Sequence, residues 1–367
     1  MDDDERAGIV GEPILQQPPI RLTSGQQHKF SRPGATFIVV HLADIKLHAE
    51  DRLLIGTTVE DLQDAAYRLD VSGQAFVAPV TGGRAIVKLD CKSDDCAVTI
   101  DRIIRGLTRK ERDVRSDVTQ FLQACGDREL DNAVCYRQSD PEIYSHSRAV
   151  ARLMRGGSRA CTGWLLGSNG QLLTNYHCIK SDAEAAATTF EFLAEGDTCA
   201  TECKEWGACP GQLRIAGATL IWADSALDYA LLQLPAKLVS DFGWLKARTK
   251  PISKLEQVYI PQHPAAQGKK IAFRSGAAAD ASGDFSGLAQ VNVSHVSSCR
   301  LATTVGCLPY HADTEDGSSG APVIALSDHR VIGLHQCAGC PNSAIPITEI
   351  IADLKVLNIL PPDSTDP

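Results

Sequence analysis

The segment "EDGSSGAPV" at 315–323 places two serines between glycines, directly before a predicted buried strand. A serine hydroxyl is a weak nucleophile at neutral pH. It needs a base within hydrogen-bond reach, and that base needs a partner to orient it. Gly317 and Gly320 suit a loop whose unusual dihedrals bring backbone close to a substrate. The segment therefore predicts either a flexible turn or a nucleophile loop in which Ser319 reacts.

Two other segments offer a base and an acid. The stretch "LLTNYHCI" ends a β-type run at His177, and "SALDYALLQL" places Asp228 just before a buried strand, with Asp224 as a rival acid. Each feature alone is commonplace, since glycine-rich turns, structural histidines and aspartates before strands occur in many proteins. Together they predict a Ser-His-Asp triad, in which His177 activates Ser319 and Asp228 orients the imidazole.

The elements that would position these residues are mostly strands. The 367 residues exceed what one core usually holds. Short β-type runs separated by Gly, Pro and Asp begin near residue 36, and "ITEIIADLKVL" has helical spacing of its apolar residues. We expect a flexible N-terminal arm at 1–33, a β-sandwich accessory or pro domain at 34–106, a charged linker at 107–122, a barrel domain at 123–360 and a tail at 361–367.

Composition narrows the class of protein. The net charge of −9 argues against a nucleic-acid surface, and no apolar run approaches the ~20 residues that a membrane helix needs. The 13 cysteines favour an oxidising compartment, so we expect a secreted, extracellular protein. We predict no cofactor and no metal, neither nucleic acid nor membrane as a partner, and a monomer.

At this point the sequence resembles the chymotrypsin-fold, trypsin-like serine proteases, and within them the secreted lysyl endopeptidases. The resemblance covers about 125–355 and rests on five segments: "ACTGWLLGSNGQLLTNYHC", "DYALLQL", "QHPAAQGKKIA", "EDGSSGAPV" and "RVIGLH". It implies a mainly β fold, a chymotrypsin-like double β-barrel with a C-terminal helix, preceded here by a small β-sandwich. It also implies that 123–360 is the protease domain.

The resemblance assigns roles residue by residue. Ser319 would attack the scissile carbonyl, His177 would accept and return its proton, and Asp228 would hold the imidazole tautomer. The backbone N–H groups of Gly317 and Ser319 would form the oxyanion hole. Ser318 stands where digestive trypsins have an aspartate. The "GIVGE" stretch at 8–12 lies far upstream of the barrel, which argues against activation by insertion of a new N-terminus.

Specificity residues follow less directly. Asp313 lies at the offset where trypsin has its pocket-floor acid, which favours cleavage after Lys or Arg. It also lies among Glu315 and Asp316, so a solvated acidic loop is the alternative. His335 and Gln336 follow the strand that normally forms a pocket wall, and we expect them to line the pocket.

The cysteines are predicted to form disulfides. Cys91 and Cys96 flank a short loop and are expected to close it. By resemblance Cys161 pairs with Cys178, while Cys125 pairs with Cys337 or Cys340. Also by resemblance, Cys135 reaches one of the cysteines at 199–209.

The alternative for the clustered cysteines is a zinc site. Cys199, Cys203 and Cys209 lie near one another in sequence, and Cys337 and Cys340 form a C-x-x-C. Neither group has the paired spacing of a zinc module, so disulfides are favoured.

The sequence thus predicts a secreted serine endopeptidase that acts on protein or peptide substrates through an acyl-enzyme. The alternative is a catalytically silent secreted protease homologue that acts as a protein- or carbohydrate-binding module.

Overall fold

The computed structural model describes residues 8–64, 73–115, 128–253, 255–275, 287–292, 306–337, 339 and 341–366. Within these residues a β-sandwich is followed by two curled sheets that form the larger body of the protein. The mainly β fold predicted from the sequence is confirmed, including the sandwich, the double barrel and the C-terminal helix.

The sandwich consists of two antiparallel sheets, one in the order β2-β10-β4-β7 with β8 on β4, the other in the order β3-β9-β5-β6. Its inward-facing Val, Ile and Leu side chains form a separate core. The first ten strands and the helix that follows are β1 (Gly8–Ile9), β2 (Gly11–Thr23), β3 (Gln27–Ser31), β4 (Phe37–Lys46), β5 (Arg52–Gly56), β6 (Gln63–Asp64), β7 (Gln74–Phe76), β8 (Val80–Thr81), β9 (Arg84–Asp90), β10 (Ala97–Gly106) and α1 (Arg109–Arg115).

The flexible arm expected at 1–33 is wrong from residue 8 onward, because β1, β2 and β3 occupy most of this stretch. The prolines that suggested a loose chain lie in β2, an edge strand, where a missing N–H costs no ladder hydrogen bond. The pairing also skips four residues, since Ile20 pairs with Ile100 and Leu15 with Arg102. The Pro-rich segment between Leu15 and Ile20 therefore bulges from the sheet without breaking the strand.

The first sheet of the larger body has the order β16-β15-β12-β13-β14-β18-β17. Its elements, with those leading into it, are β11 (Asp131–Asn132), a 3₁₀ turn (Ala133–Cys135), α2 (Tyr136–Ser139), α3 (Pro141–Ser147), β12 (Val150–Arg155), β13 (Arg159–Leu165), β14 (Gln171–Thr174), α4 (Asp182–Ala186), β15 (Thr188–Phe192), β16 (Leu213–Ala216), β17 (Thr219–Asp224), β18 (Tyr229–Gln233) and α5 (Leu238–Phe242).

The second sheet has the order β11-β20-β19-β23-β24-β25-β22-β21. Its elements are β19 (Val258–Gln262), a 3₁₀ turn (Pro264–Ala266), β20 (Lys270–Ala272), β21 (Gln290–Val291), β22 (Leu308–His311), β23 (Pro322–Ala325), β24 (Val331–Cys337), β25 (Asn342–Pro346) and the C-terminal helix α6 (Ile347–Val356). The helix buries Ile347, Ile350, Ile351 and Leu354, the face that the sequence spacing predicts.

The expected linker and tail are both more ordered than the sequence suggests. Helix α1 lies in the linker and starts with a capping box, since Thr108 and Glu111 bond each other's backbone N–H groups. The rest of the linker, 116–127, lies outside the described residues. At the other end, Ser364 is buried and its carbonyl accepts a hydrogen bond of 2.7 Å from Ala247 N. The tail is therefore packed against the larger body.

The sandwich docks on the first sheet through an apolar cluster. Its members are Val10, Phe37, Val39 and Ile104 from the sandwich side and Met154, Ala160, Trp206 and Ala266 from the larger body. Strand β1 leaves the sandwich altogether and pairs antiparallel with β13. The N-terminal segment thus belongs structurally to the first sheet of the larger body.

Candidate active site

His177 and Asp228 are brought together by neighbouring strands. His177 follows β14 and Asp228 precedes β18, and these strands pair antiparallel. The Nδ1 atom of His177 lies 2.9 Å from Oδ2 and 3.1 Å from Oδ1 of Asp228. The backbone N–H of His177 also donates to Oδ1 at 3.0 Å. Both side chains are buried, so this carboxylate fixes the orientation of the imidazole.

The loop around Asp228 is built to hold that carboxylate. Asp228 has a left-handed backbone, with φ of 47°, which is costly for a residue other than glycine and occurs mainly where the surroundings enforce it. Asn175 Nδ2 donates to the Asp228 carbonyl at 2.9 Å. The rival acid, Asp224, instead accepts the N–H groups of Ala226 and Leu227 at 2.8 Å each. It therefore shapes the turn and does not contact His177.

The nucleophile loop is held by strand β13 of the opposite sheet. Thr162 N donates to the Ser319 carbonyl at 2.8 Å, and Thr162 Oγ1 donates to the Gly317 carbonyl at 2.9 Å. Gly320 has φ of 88°, and a Cβ at this position would lie 2.1 Å from the Thr162 carbonyl oxygen. Only glycine fits so close to β13, which explains the second glycine of the motif.

Three polar groups at this site have no protein partner among the described residues. The N–H groups of Gly317 and Ser319 donate no hydrogen bond there. The Nε2 atom of His177 is buried and likewise has no partner. Buried polar groups are normally paired, so unpaired ones that gather at one site indicate a place for a ligand. Two backbone donors and one imidazole nitrogen are what a tetrahedral oxyanion and a serine proton require.

His177 and the loop that carries Ser319 lie on either side of a disulfide. Cys161 is bonded to Cys178, and a ring nitrogen of His177 lies within 4.8 Å of both sulfurs. Cys178 Sγ is 3.8 Å from the Ser319 carbonyl oxygen. No hydrogen bond joins the Ser319 hydroxyl to His177 Nε2 in the described part of the chain. Such contacts often tighten only when a substrate binds.

Ser318 has a different role from its neighbour. Its hydroxyl is fully buried, donates to Gln262 Oε1 and accepts from Glu315 N at 3.2 Å. The side chain therefore closes the loop internally and is turned toward Gln262. An aspartate at position 318 would instead place a buried charge inside the loop.

The three predicted specificity residues are all buried, each with contacts of its own. Asp313 Oδ2 accepts the Glu129 N–H at 2.5 Å. This hydrogen bond joins the segment at Glu129, which leads into the larger body, to the start of the nucleophile loop. His335 Nδ1 lies 2.6 Å from the Tyr310 hydroxyl. Gln336 Nε2 contacts Cys307 Sγ at 3.5 Å, while its Oε1 is unpartnered among the described residues. A neutral amide oxygen is thus available beside the loop, whereas the Asp313 carboxylate is already engaged.

Sequence reasoning missed the residues that brace the loop from behind. Thr162 Oγ1 accepts a hydrogen bond from the His263 N–H at 3.1 Å. In the turn after His263, the Ala265 N–H donates to the Asp316 carbonyl. Ala265 and Ala266 have φ of 49° and 59°. The "QHPAAQG" motif was noted for its resemblance, but nothing in it signals a left-handed turn of alanines.

Four disulfides are present among the described residues: Cys91–Cys96, Cys135–Cys199, Cys161–Cys178 and Cys203–Cys209. The pairing of Cys161 with Cys178 and the link from Cys135 to the 199–209 group are those that the resemblance implies. Cys125 and Cys340 lie outside the described residues. Because Cys199, Cys203 and Cys209 are all oxidised to disulfides, their sulfurs are not free to act as zinc thiolates.

The comparison with protein families agrees with this geometry. Residues 161–334 match the family model of the trypsin-like peptidase domain, slightly under half of the chain. The match begins at Cys161 and ends within β24, so it contains His177, Asp228 and Ser319.

In the described residues no helix is both long and apolar enough to cross a membrane.

Two curated proteins are similar in sequence. The secreted RxLR effector protein 73 of Plasmopara viticola is 41% identical over 246 residues, which cover 65% of this chain and 57% of that protein. The uncharacterized protein y4fB of Sinorhizobium fredii is 31% identical over 215 residues, covering 53% of this chain and 28% of that protein. The chain thus spans about half the length of the first relative and about a quarter of the second.

Solved structures with a similar fold include two proteases. The active form of the Rv3671c protease from M. tuberculosis matches with a TM-score of 0.41 at 16% identity, over 63% of this chain and 88% of that chain. The serine endoprotease from Yersinia pestis matches with a TM-score of 0.40 at 16% identity, over 59% of this chain and 65% of that chain.

The buried His335 makes stability sensitive to acid. Burial, with a smaller contribution from nearby His177, lowers the pKa of His335 from its usual 6.5 to about 3. Between these values the unfolded chain binds a proton that the folded protein does not, so stability falls as pH falls through this window. When the pH is lowered from about 7 to about 4, the unfolding free energy of wild type should decrease more than that of His335→Gln. The difference should be on the order of 2–3 kcal/mol, because the variant has no imidazole at this position.

Urea denaturation at several pH values measures this difference. His48→Gln, on the exposed surface of the sandwich, is the matched control and should follow the wild-type curve. Parallel curves for wild type and His335→Gln would contradict the assignment.

Proposed function

We propose that the protein is a serine endopeptidase that hydrolyses peptide bonds through an acyl-enzyme on Ser319. The observation that carries the proposal is the convergence of three unpaired groups beside Ser319: the N–H groups of Gly317 and Ser319, and Nε2 of a histidine that Asp228 orients. A fold that only bound ligands would gain nothing from burying an unpaired imidazole nitrogen against a serine loop.

The proposed reaction follows from this arrangement. Ser319 Oγ attacks the carbonyl carbon while His177 Nε2 takes the hydroxyl proton, and the resulting imidazolium is stabilised by Asp228. The oxyanion accepts hydrogen bonds from the N–H groups of Gly317 and Ser319, and each such donor increases the rate by ~10²–10³. His177 then protonates the leaving amine, and water, activated by the same histidine, releases the acyl group.

We also propose that the protein acts outside the cell. The disulfides found here suit an oxidising compartment, and one relative is named as a secreted effector. The substrates would be proteins or peptides. We further propose cleavage after Lys or Arg, which is supported by the resemblance to lysyl endopeptidases and by the position of Asp313 six residues before Ser319.

The direct test is labelling by a fluorophosphonate, which needs an activated serine but no particular substrate. We expect one modified residue, Ser319, and loss of labelling in Ser319→Ala. Ser318→Ala is the matched control and should keep its label, because that hydroxyl contacts Gln262 and not His177. No labelling of correctly folded wild type would favour the silent binding homologue.

The choice of acid can be tested with two isosteric variants. Asp228→Asn should lower kcat by ~10⁴, because the amide stabilises the wrong imidazole tautomer. Asp224→Asn loses only hydrogen bonds within its own turn and should keep kcat within about tenfold of wild type. Steady-state kinetics on one peptide substrate suffices. A larger loss in Asp224→Asn would reverse the assignment.

The role of Asp313 is tested by the residue that precedes each cut in a denatured protein mixture. If its negative charge selects basic side chains, Asp313→Asn should weaken a Lys/Arg preference by tenfold or more while retaining acceptance of the Glu129 N–H. Gln336→Glu serves as the converse variant, because it adds a carboxylate where an unpartnered amide oxygen now lies. A wild-type preference for apolar or acidic residues, read by mass spectrometry, would exclude Asp313 as the specificity residue.

A further inference from the structure

Strand β13 has an edge next to the nucleophile loop that its neighbour β14 covers only in part. One of its edges pairs with β12 over the whole of β13 apart from Leu165. The other edge pairs with β14 at Trp164 and Leu165 only. On the same edge Thr162 is bonded to the Ser319 carbonyl, while Arg159 and Ala160 are covered by β1, with Gly8 opposite Ala160 and Ile9 opposite Arg159. A chain segment remote in sequence thus completes this sheet.

The covered edge lies directly beside the catalytic groups. Thr162, two residues after Ala160, binds the carbonyls of Gly317 and Ser319. A Cβ built on Gly8 would lie 2.8 Å from Gly317 N and 3.1 Å from the Asp316 Cβ. Strand β1 is therefore packed against the backbone that carries an oxyanion donor, at a distance that excludes any side chain.

Binding of an extended chain to a sheet edge is also how peptidases and other peptide-binding proteins hold peptides, since main-chain hydrogen bonds recognise any sequence. Thr162 is already bonded to the Ser319 carbonyl, so an extended substrate that passes Ser319 could pair with β13 only at Arg159 and Ala160, the part of the edge that β1 occupies. In this structure His177 is 1% exposed and Ser319 is 8% exposed. Both side chains are thus buried in the structure that has β1 in place.

The attachment of β1 is short but anchored on both sides. It has only two paired residues, but Val10 is buried in the cluster between the sandwich and the larger body. Val10 N donates to the Ser158 carbonyl, and the Val10 carbonyl accepts from Leu107 N, both at 2.8 Å. A tethered segment competes at an effective concentration in the millimolar range. Few substrates would reach that concentration.

We propose that β1 is a built-in occupant of the substrate cleft, and that it keeps the protein latent until displacement of the N-terminal segment opens the β13 edge to an extended peptide. This inference rests on the proposed peptidase function. The "GIVGE" segment would then inhibit the protein and not support the catalytic loop, so loss of the segment is expected to raise activity.

Two variants test the inference in the full protein: deletion of residues 1–9, and Gly8→Val, whose side chain has no room against Gly317. We expect both to cleave quenched-fluorescent denatured casein at least tenfold faster than wild type at low substrate concentration, mainly through a lower KM. Fluorophosphonate labelling, which uses no strand edge, should change by less than threefold. Leu15→Val, exposed on β2 of the same sandwich, is the matched control and should match wild type.

The outcomes separate the two proposals. Unchanged or slower casein cleavage by the deletion variant, with Ser319 still labelled, overturns the latent-state proposal alone and makes β1 a support of the loop. Absence of labelling in wild type and in both variants overturns the peptidase proposal, and the latent state with it. Should Gly8→Val lose labelling because it distorts Gly317, the deletion variant decides.

Discussion

The site depends on the way Thr162 ties two distant parts of the chain together. Its backbone N–H holds the Ser319 carbonyl, its hydroxyl holds the Gly317 carbonyl and receives the His263 N–H, and its own carbonyl accepts from Thr174 Oγ1 at 2.8 Å. Every one of these groups is buried, so each bond lost would leave an unpaired polar atom in the interior. The carbonyls of the nucleophile loop are engaged in this way, whereas the N–H groups of Gly317 and Ser319 donate no hydrogen bond among the described residues.

The sequence carried enough information to predict that His177 and Asp228 meet, but not what surrounds them. These two residues and the proposed nucleophile Ser319 could be singled out because each lies at the end of a short β-type run, where local signals are strong, and because their order resembles that of a known family. The bracing by Gln262 and His263 could not be predicted. It depends on a left-handed turn of alanines, and alanine gives no sign of such a backbone. The engagement of Asp313 by Glu129 was equally invisible, since it joins residues far apart in the chain.

The same distinction applies to the fold. Alternating apolar residues predicted the sandwich and the barrels, and helical spacing predicted α6, because these patterns are local. The N-terminal arm was misjudged because prolines and glutamines usually indicate a loose chain, whereas here they lie on an edge strand and in its bulge. The pairing of β1 with β13 joins residues about 150 positions apart. No periodicity within either segment encodes such a partner, which is set by docking of the sandwich through Val10 and its apolar neighbours.

His177 and Asp228 belong to the first sheet of the larger body, whereas Ser319 precedes β23 of the second. The groups proposed to be catalytic are therefore assembled only while the two sheets keep their mutual position. A slight parting of the sheets would separate base from nucleophile while every strand ladder stayed intact, since proximity of ~1 Å precision governs such chemistry. On heating, the contact between the two sheets should loosen well before the secondary structure melts. Activity should be lost at that point, and cooling should restore it.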